Sequence, residues 1–299
     1  MYNIKKNLLD IVFPRHCLGC DILLGNGSRT KSRSRQSRES GGPRRGYFVR
    51  DGTDSYLCRA CLKAILFTKG FACAFCKSPV RAGKTCVYCI KDHFLDRLLV
   101  AASYENPLVG KIIKTAKYRF VRSLVDEMAD LMIKYLEKRA KWLARSSFVH
   151  PPKFYESKLG RASQNLGGLI DSREVWVIPV PLHRQRLNWR GFNQAEIMAK
   201  GVGNFFGWPV AVDILRRCHN RKPQTNMPDQ PSRVENAKNL FQIYADRKSI
   251  DFIGKTILLI DDVSTTGSTL NDCARALKGA GAKEVIGFVF ARGKLDRKS

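Results

Sequence analysis

Residues Lys255 to Leu270 read KTILLIDDVSTTGSTL: a continuous apolar run, two adjacent carboxylates, then small hydroxyl residues and a glycine. A buried strand can end in an ordinary turn that needs only one or two Gly, Asn or Asp residues. The set Asp261, Asp262, Ser264, Thr265, Thr266, Gly267, Ser268 and Thr269 carries more polar chemistry than that. It suits a ribose 5-phosphate. Paired carboxylates accept hydrogen bonds from two neighbouring ribose hydroxyls, while backbone N–H groups and Ser/Thr hydroxyls surround a phosphate at a helix N-terminus. Glycine lets the backbone approach the phosphate closely. Two simpler readings fail. The triplet Gly254-Lys255-Thr256 lacks the glycine that a phosphate loop needs five residues before Gly254, where Ser249 stands, and it leads into a strand. A helix cap explains Thr265 or Thr266 but not the carboxylates.

A second set of chemistry-bearing residues precedes this one. Eight of the ten cysteines form four C-x-x-C pairs: Cys17/Cys20, Cys58/Cys61, Cys73/Cys76 and Cys86/Cys89. Two thiolates at this spacing sit on one tight turn and point at one ion, and two such turns make the tetrahedral sulfur cage that zinc prefers. Cys73/Cys76 with Cys86/Cys89 reads as a compact ribbon, and Cys17/Cys20 with Cys58/Cys61 as a second site across a long connection. An interleaved pairing, first with third and second with fourth, stays open. The spacing implies one or two structural Zn²⁺ ions, because four sulfurs leave no open position for water. Disulfides need an oxidising compartment that nothing in the sequence indicates. A structural zinc contributes on the order of 10–16 kcal/mol to folding, which suits a segment too small and polar to build much of a core.

Lysine and arginine total 53 against 26 aspartates and glutamates, a formal charge of +27. That exceeds what solubility requires and implies a polyanionic partner. An anionic membrane surface attracts the same cations. No run approaches the roughly 18–20 apolar residues of a membrane-spanning helix. The opening segment carries acidic Asp10 and no cleavage site, so the expected location is the cytoplasm, with peripheral attachment at the inner membrane as a variant. The Ser/Arg-rich stretch 28–50 reads as a disordered basic insertion.

Elements must hold these groups in place. The expected organisation is a double zinc ribbon over 1–93, a helical connecting region over 94–145, a linker over 146–173 and a nucleotide-type α/β domain over 174–299. In the connecting region a strand-like run from Phe94 is followed, after Asn106-Pro107, by a basic helix, in which Lys111, Lys114, Lys117 and Arg119 read as a solvated face. A longer helix spans Val121 to about Trp142. In the last domain, strands at 174–180, 210–215, 240–244, 256–260 and 284–291 alternate with helices from Asn193 to Phe206 and from Gly267 to Lys278. That alternation predicts a Rossmann-like, mostly parallel sheet with ligands at the carboxyl ends of its strands.

The segment ILLIDDVSTTGST resembles the phosphoribosyl pyrophosphate (PRPP) signature of type I phosphoribosyltransferases. PVPLHRQRLNWRGFNQAEIMA, QTNMPDQPSRVENAKNLF and the four C-x-x-C pairs resemble the ComF family of competence proteins. The resemblance implies that Asp261 and Asp262 hold the ribose hydroxyls and that Ser264 to Thr269 form the 5-phosphate loop. It implies that the loop from Pro181 to Arg190, with Arg184, Arg186 and Arg190, takes pyrophosphate. Arg190, Phe192, Asn193 and Gln194 match the family's RGFNQ motif; Gln224, Arg233 and Asn236 match its later flexible-loop motif. It further implies Mg²⁺ with PRPP, a role in DNA uptake, single-stranded DNA and competence-machinery proteins as partners, and either a retained ligand site or an active Mg²⁺-dependent phosphoribosyltransferase. No residue is singled out as catalytic. Purine-salvage enzymes carry an aspartate four residues after the first acidic position; Thr265 stands there, which disfavours a purine acceptor. No C-terminal base-binding hood is recognisable, leaving 94–145 or the zinc ribbons to cover the site.

Overall fold

The computed structural model describes residues 15–24, 55–146, 166, 169–170, 174–217, 240–244 and 253–293. The insertion at 28–50, most of 146–173, and Gln224, Arg233 and Asn236 lie outside the described residues. The chain divides into two compact units, Met1–Ile65 and Leu66–Ser299.

In the first unit the chain around Cys17 is tied to the chain before Cys58 by the Leu18 N–H donating to the Tyr56 carbonyl at 2.9 Å. A short helix α1 (Arg59–Ala64) follows, begun by Cys58, whose sulfur accepts from the Cys61 N–H.

The second unit opens with the ribbon of the later cysteines and continues through β1 (Arg97–Ser103), α2 (Pro107–Tyr118), α3 (Arg122–Ser146), β2 (Val175–Pro179), α4 (Arg184–Arg190), α5 (Gln194–Phe206), β3 (Leu215–Arg217), β4 (Phe241–Ile243), β5 (Thr256–Ser264), α6 (Ser268–Gly279) and β6 (Glu284–Arg292). Four strands form a parallel sheet in the order β1-β6-β5-β2. β5 and β6 are central and almost wholly buried, as their unbroken apolar sequences require of strands covered on both faces. Ile257 and Leu259 of β5 and Val285 and Val289 of β6 pack with Leu270, Cys273 and Leu277 of α6. On the opposite face α3 and α5 pack against each other, and Tyr135 of α3 stacks on Phe288 of β6 with ring centroids 5.9 Å apart. α2 starts where the sequence indicates: the Asn106 side chain accepts from the Leu108 N–H and Pro107 occupies the first turn.

Four features differ from the sequence-based expectation. The strand inside 94–145 is the edge strand of the main sheet, because β1 pairs in register with β6 from Arg97↔Ile286 to Ser103↔Arg292. The expected strand at 210–215 is reduced to one parallel bridge, Val177↔Val210, and the short β3, which pairs antiparallel with β4 in a separate two-stranded sheet. The arginine-bearing loop after β2 is partly helical, as α4, which a left-handed Gly191 terminates. Finally, β5 does not stop at Ile260 but runs through both aspartates to Ser264.

The second ribbon is stitched to β1 and to Asp96, the residue before it. The Thr68 N–H donates to the Ala101 carbonyl at 3.0 Å and the Thr85 N–H to the Asp96 carbonyl at 2.7 Å. Gly83 is required in between: its φ is +73°, and a Cβ there would lie 2.4 Å from the Leu98 carbonyl oxygen.

Candidate functional site

Because β5 continues through Ser264, Asp261 and Asp262 are consecutive strand residues and project to opposite faces of the sheet at its carboxyl end. Asp262 lies on the α2 and α3 side with only 8% of its surface exposed. Its charge has a partner there, the Lys117 ammonium at 2.9 Å from Oδ1. A carboxylate that deep is costly without such a cation. Asp261 lies on the α6 side, where its Oδ1 accepts from the Asp262 N–H at 2.8 Å. Burial, reinforced by the Asp262 charge, pushes Asp261 up to about 7, against the opposing pull of that N–H and of Lys117. Beneath it, burial and the charges of Asp261 and Asp272 hold the Cys273 thiol well above its ordinary value, so Cys273 is a packing residue.

After Ser264 the chain turns through Thr265 and Thr266, both exposed, into α6. Gly267 makes the turn with φ +84°, and the Asn271 N–H donates to its carbonyl at 2.8 Å. Thr266 Oγ1 lies 2.8 Å from Ser268 Oγ and accepts from the Ser268 N–H at 3.2 Å. Hydroxyls and the amide end of a 12-residue helix therefore converge on one open turn.

The second ribbon forms a wall of this turn. A Cβ on Gly267 would meet the Phe75 ring at 3.4 Å and the Ala74 carbonyl at 3.5 Å. Asn271 Oδ1 accepts from the Phe94 N–H at 2.7 Å. Arg292, opposite Ser264 in the sheet, donates to the carbonyls of Cys73 and Ala74.

On the other side of β5, α4 carries the three arginines. Arg184 and Arg186 are exposed, whereas Arg190 is half-buried and donates to Gln194 Oε1 at 3.2 Å. Asn193 plays a structural role, since its Oδ1 accepts from the Ala195 N–H at 3.1 Å, capping α5, and its amide donates to the Val180 carbonyl at 3.0 Å. Gln194 is buried and Phe192 half-buried. Sequence reasoning placed the β5 carboxylates and the loop but passed over Lys117, Asn271 and Arg292. Lys117 read as one cation of a solvated face, and no local spacing distinguishes it from Lys111 or Lys114.

The cysteines gather as two sets of four, Cys17/Cys20/Cys58/Cys61 and Cys73/Cys76/Cys86/Cys89, the sulfurs of each set all within 4.8 Å of one another. This rules out the interleaved pairing. Cys20 and Cys58 sulfurs are 3.6 Å apart and Cys76 and Cys86 sulfurs 3.5 Å. A tetrahedron with Zn–S bonds of about 2.3 Å has edges of about 3.8 Å, so the spacing fits zinc. Backbone donors support the sulfurs: Cys17 accepts from the N–H groups of Gly19 and Cys58. In the second set the Ser78 hydroxyl and N–H draw Cys76 down to about 6, while burial and the neighbouring sulfurs push Cys89 up to about 12. Four thiols this close cannot all ionise without a cation, and a bound Zn²⁺ supplies one.

Two outcomes follow from this geometry. Protein prepared without chelator carries two zinc ions per chain by elemental analysis, and Cys89→Ser carries one. Between about pH 4, where an unfolded aspartate titrates, and about pH 7, folded Asp261 retains a proton that the unfolded chain has lost. Stability therefore falls as pH rises through that window. Asp261→Asn flattens this fall and raises the melting temperature most above pH 7, as read by thermal melts across pH.

Residues 190–299 match the family model of the phosphoribosyl transferase domain. Competence protein F of Haemophilus influenzae is 26% identical over 239 residues, covering 79% of this chain and 90% of that protein. Competence protein ComFC of Bacillus subtilis is 25% identical over 244 residues, covering 79% and 83%. DNA utilization protein YhgH of Salmonella typhi is 28% identical over 116 residues, covering 39% and 48%. Over most of its length the chain is similar to competence proteins F and ComFC, and its C-terminal part matches the phosphoribosyl transferase domain.

Proposed function

We propose that this protein supports DNA uptake, with single-stranded DNA as its polyanionic partner and a site for PRPP or a related ribose phosphate at the carboxyl end of β5. The uptake role rests on the similarity to competence proteins of two organisms and to a DNA utilization protein of a third. Competence-machinery proteins are further partners in this reading, and its place is the cytoplasm or the inner face of the membrane. No described helix is long and apolar enough to cross a membrane.

The sugar-phosphate reading rests on the run from Asp261 to Thr269, two carboxylates at a strand end followed by a hydroxyl-lined turn at a helix N-terminus. A ribose lying across the end of β5 meets Asp262 on one side and Asp261 on the other, each accepting from one hydroxyl. The turn at 265–269 supplies amide and hydroxyl donors to the 5-phosphate. Lys117 keeps Asp262 oriented from behind. Arg184, Arg186 and Arg190 on α4 receive the diphosphate, for which guanidinium groups are suited by permanent charge and paired donors. Oxygen ligands such as Asp261 and Asp262 would suit Mg²⁺, which would offset the charge of a bound diphosphate.

A second reading, transfer of the phosphoribosyl group to an acceptor, is favoured by a pocket of about 290 Å³ lined by Phe71, Ser103, Tyr135, Arg292 and Gly293. It adjoins the phosphate turn, since the Gly293 N–H donates to the Ser264 carbonyl at 3.0 Å. The Arg292 Nε is buried there with no hydrogen-bond partner among the described residues.

Isothermal titration with PRPP and Mg²⁺ tests the site. Native protein binds, and Asp261→Ala/Asp262→Ala loses binding by at least tenfold. A native protein that gives no binding isotherm overturns the reading.

A further inference from the structure

Beside the sugar-phosphate site, the corner between α2 and α3 leaves three large rings in water. Tyr118 is 61% exposed, Phe120 38% and, facing them from α4, Trp189 59%. Phe120 and Trp189 meet edge to face with centroids 5.0 Å apart and planes at 83°. Phe120 reaches this contact from a left-handed backbone, φ +55°, a conformation that a bulky residue adopts only when its surroundings impose it. The strained turn leaves the ring partly exposed, and exposed guanidinium groups lie within three residues of the rings on both elements: Arg119 and Arg122 at the corner, Arg186 on α4. The Arg190 guanidinium carbon lies 6.0 Å from the Trp189 ring centroid.

We propose that Tyr118, Phe120 and Trp189, with Arg119, Arg122 and Arg186, form a stacking platform for single-stranded DNA. This rests on the nucleic-acid reading above and assigns it a surface. The chemistry favours that occupant over a protein. The chain carries a net charge of +27, which complements a polyanion, and exposed rings interleaved with cations match a strand of exposed bases joined by phosphates. Base faces stack on the rings without sequence preference, and the arginines track the backbone. The net charge of +27 draws a polyanion toward the whole chain, but only this corner, among the described residues, brings two exposed rings into edge-to-face contact beside arginines from two elements. The platform is also coupled to the carboxylate site in space. Lys117, adjacent to Tyr118, holds Asp262, so a strand bound at the corner lies beside the ribose phosphate.

Fluorescence anisotropy with a labelled oligothymidylate at several salt concentrations tests the assignment. Native protein binds at low salt. Phe120→Ala/Trp189→Ala binds about tenfold or more weakly with the salt slope unchanged, because stacking and not phosphate contact is lost. Arg119→Ala/Arg186→Ala binds more weakly and its slope falls by about 1.4, roughly 0.7 for each single-strand phosphate contact removed. Trp189→Phe, which keeps a ring, retains affinity; its emission is quenched less by unlabelled strand than that of the native protein. Matching thermal melts establish that the variants are folded. If native protein binds and the aromatic double variant binds equally well, the platform is wrong while the DNA reading stands. If native protein fails to bind at low salt, the DNA reading falls and the platform with it.

Discussion

The ion pair between Lys117 and Asp262 decides how the end of the sheet is built. β5 carries two acidic residues in succession, and strand geometry sends one to each face. The one directed at the helical layer of α2 and α3 is nearly buried and has to meet a cation. Lys117 meets it from the last turn of α2. Two residues later α2 closes at Arg119, whose N–H donates to the Thr115 carbonyl, and the chain turns toward α3. The turn is tight enough to place Phe120 in the left-handed region and against Trp189 of α4. One buried charge pair thus links the β5 carboxylates, the helix that follows β1 and the arginine-bearing helix that follows β2. Asp261 has no ion pair among the described residues, and burial together with the Asp262 charge raises its titration.

The second cysteine ribbon completes the site from the opposite edge. It is bonded to β1 through Thr68, to Asp96 just before β1 through Thr85, to β6 through Arg292 and to α6 through Asn271. Its contact with Gly267 limits the hydroxyl-lined turn on one side. A zinc-stapled ribbon is a rigid wall obtained from few residues, which is what a short polar segment can supply. The ribbon belongs to the same compact unit as the sheet, while the first cysteine cluster belongs to the other.

The parts legible in the sequence are those whose chemistry is local. The apolar run of β5, its carboxylates and the hydroxyl turn stand in one stretch, and C-x-x-C spacing announces its own geometry. Helix α2 is marked by Asn106-Pro107, and α5 by Asn193, whose side chain caps it as its residue type suggests. What escapes depends on pairing between distant segments. Nothing near residues 97–103 says that they join β6, and nothing about Lys117 separates it from other lysines of its helix until Asp262 is brought beside it. The extension of β5 to Ser264 is hidden because Asp and Ser are poor strand formers; pairing with β6 through Ser264↔Arg292 overrides that preference. The Phe120–Trp189 contact is hidden for the same reason, since its rings lie on elements separated by β2.

If the carboxyl end of β5 holds a ribose phosphate, amide hydrogen exchange should respond to it locally. With PRPP and Mg²⁺ present, exchange should slow at residues 264–269 and at the last turn of α2, with β1 and α5 unchanged. Exchange at 264–269 that is the same with and without the ligand, at saturating concentration, would mean that the β5 end does not hold it.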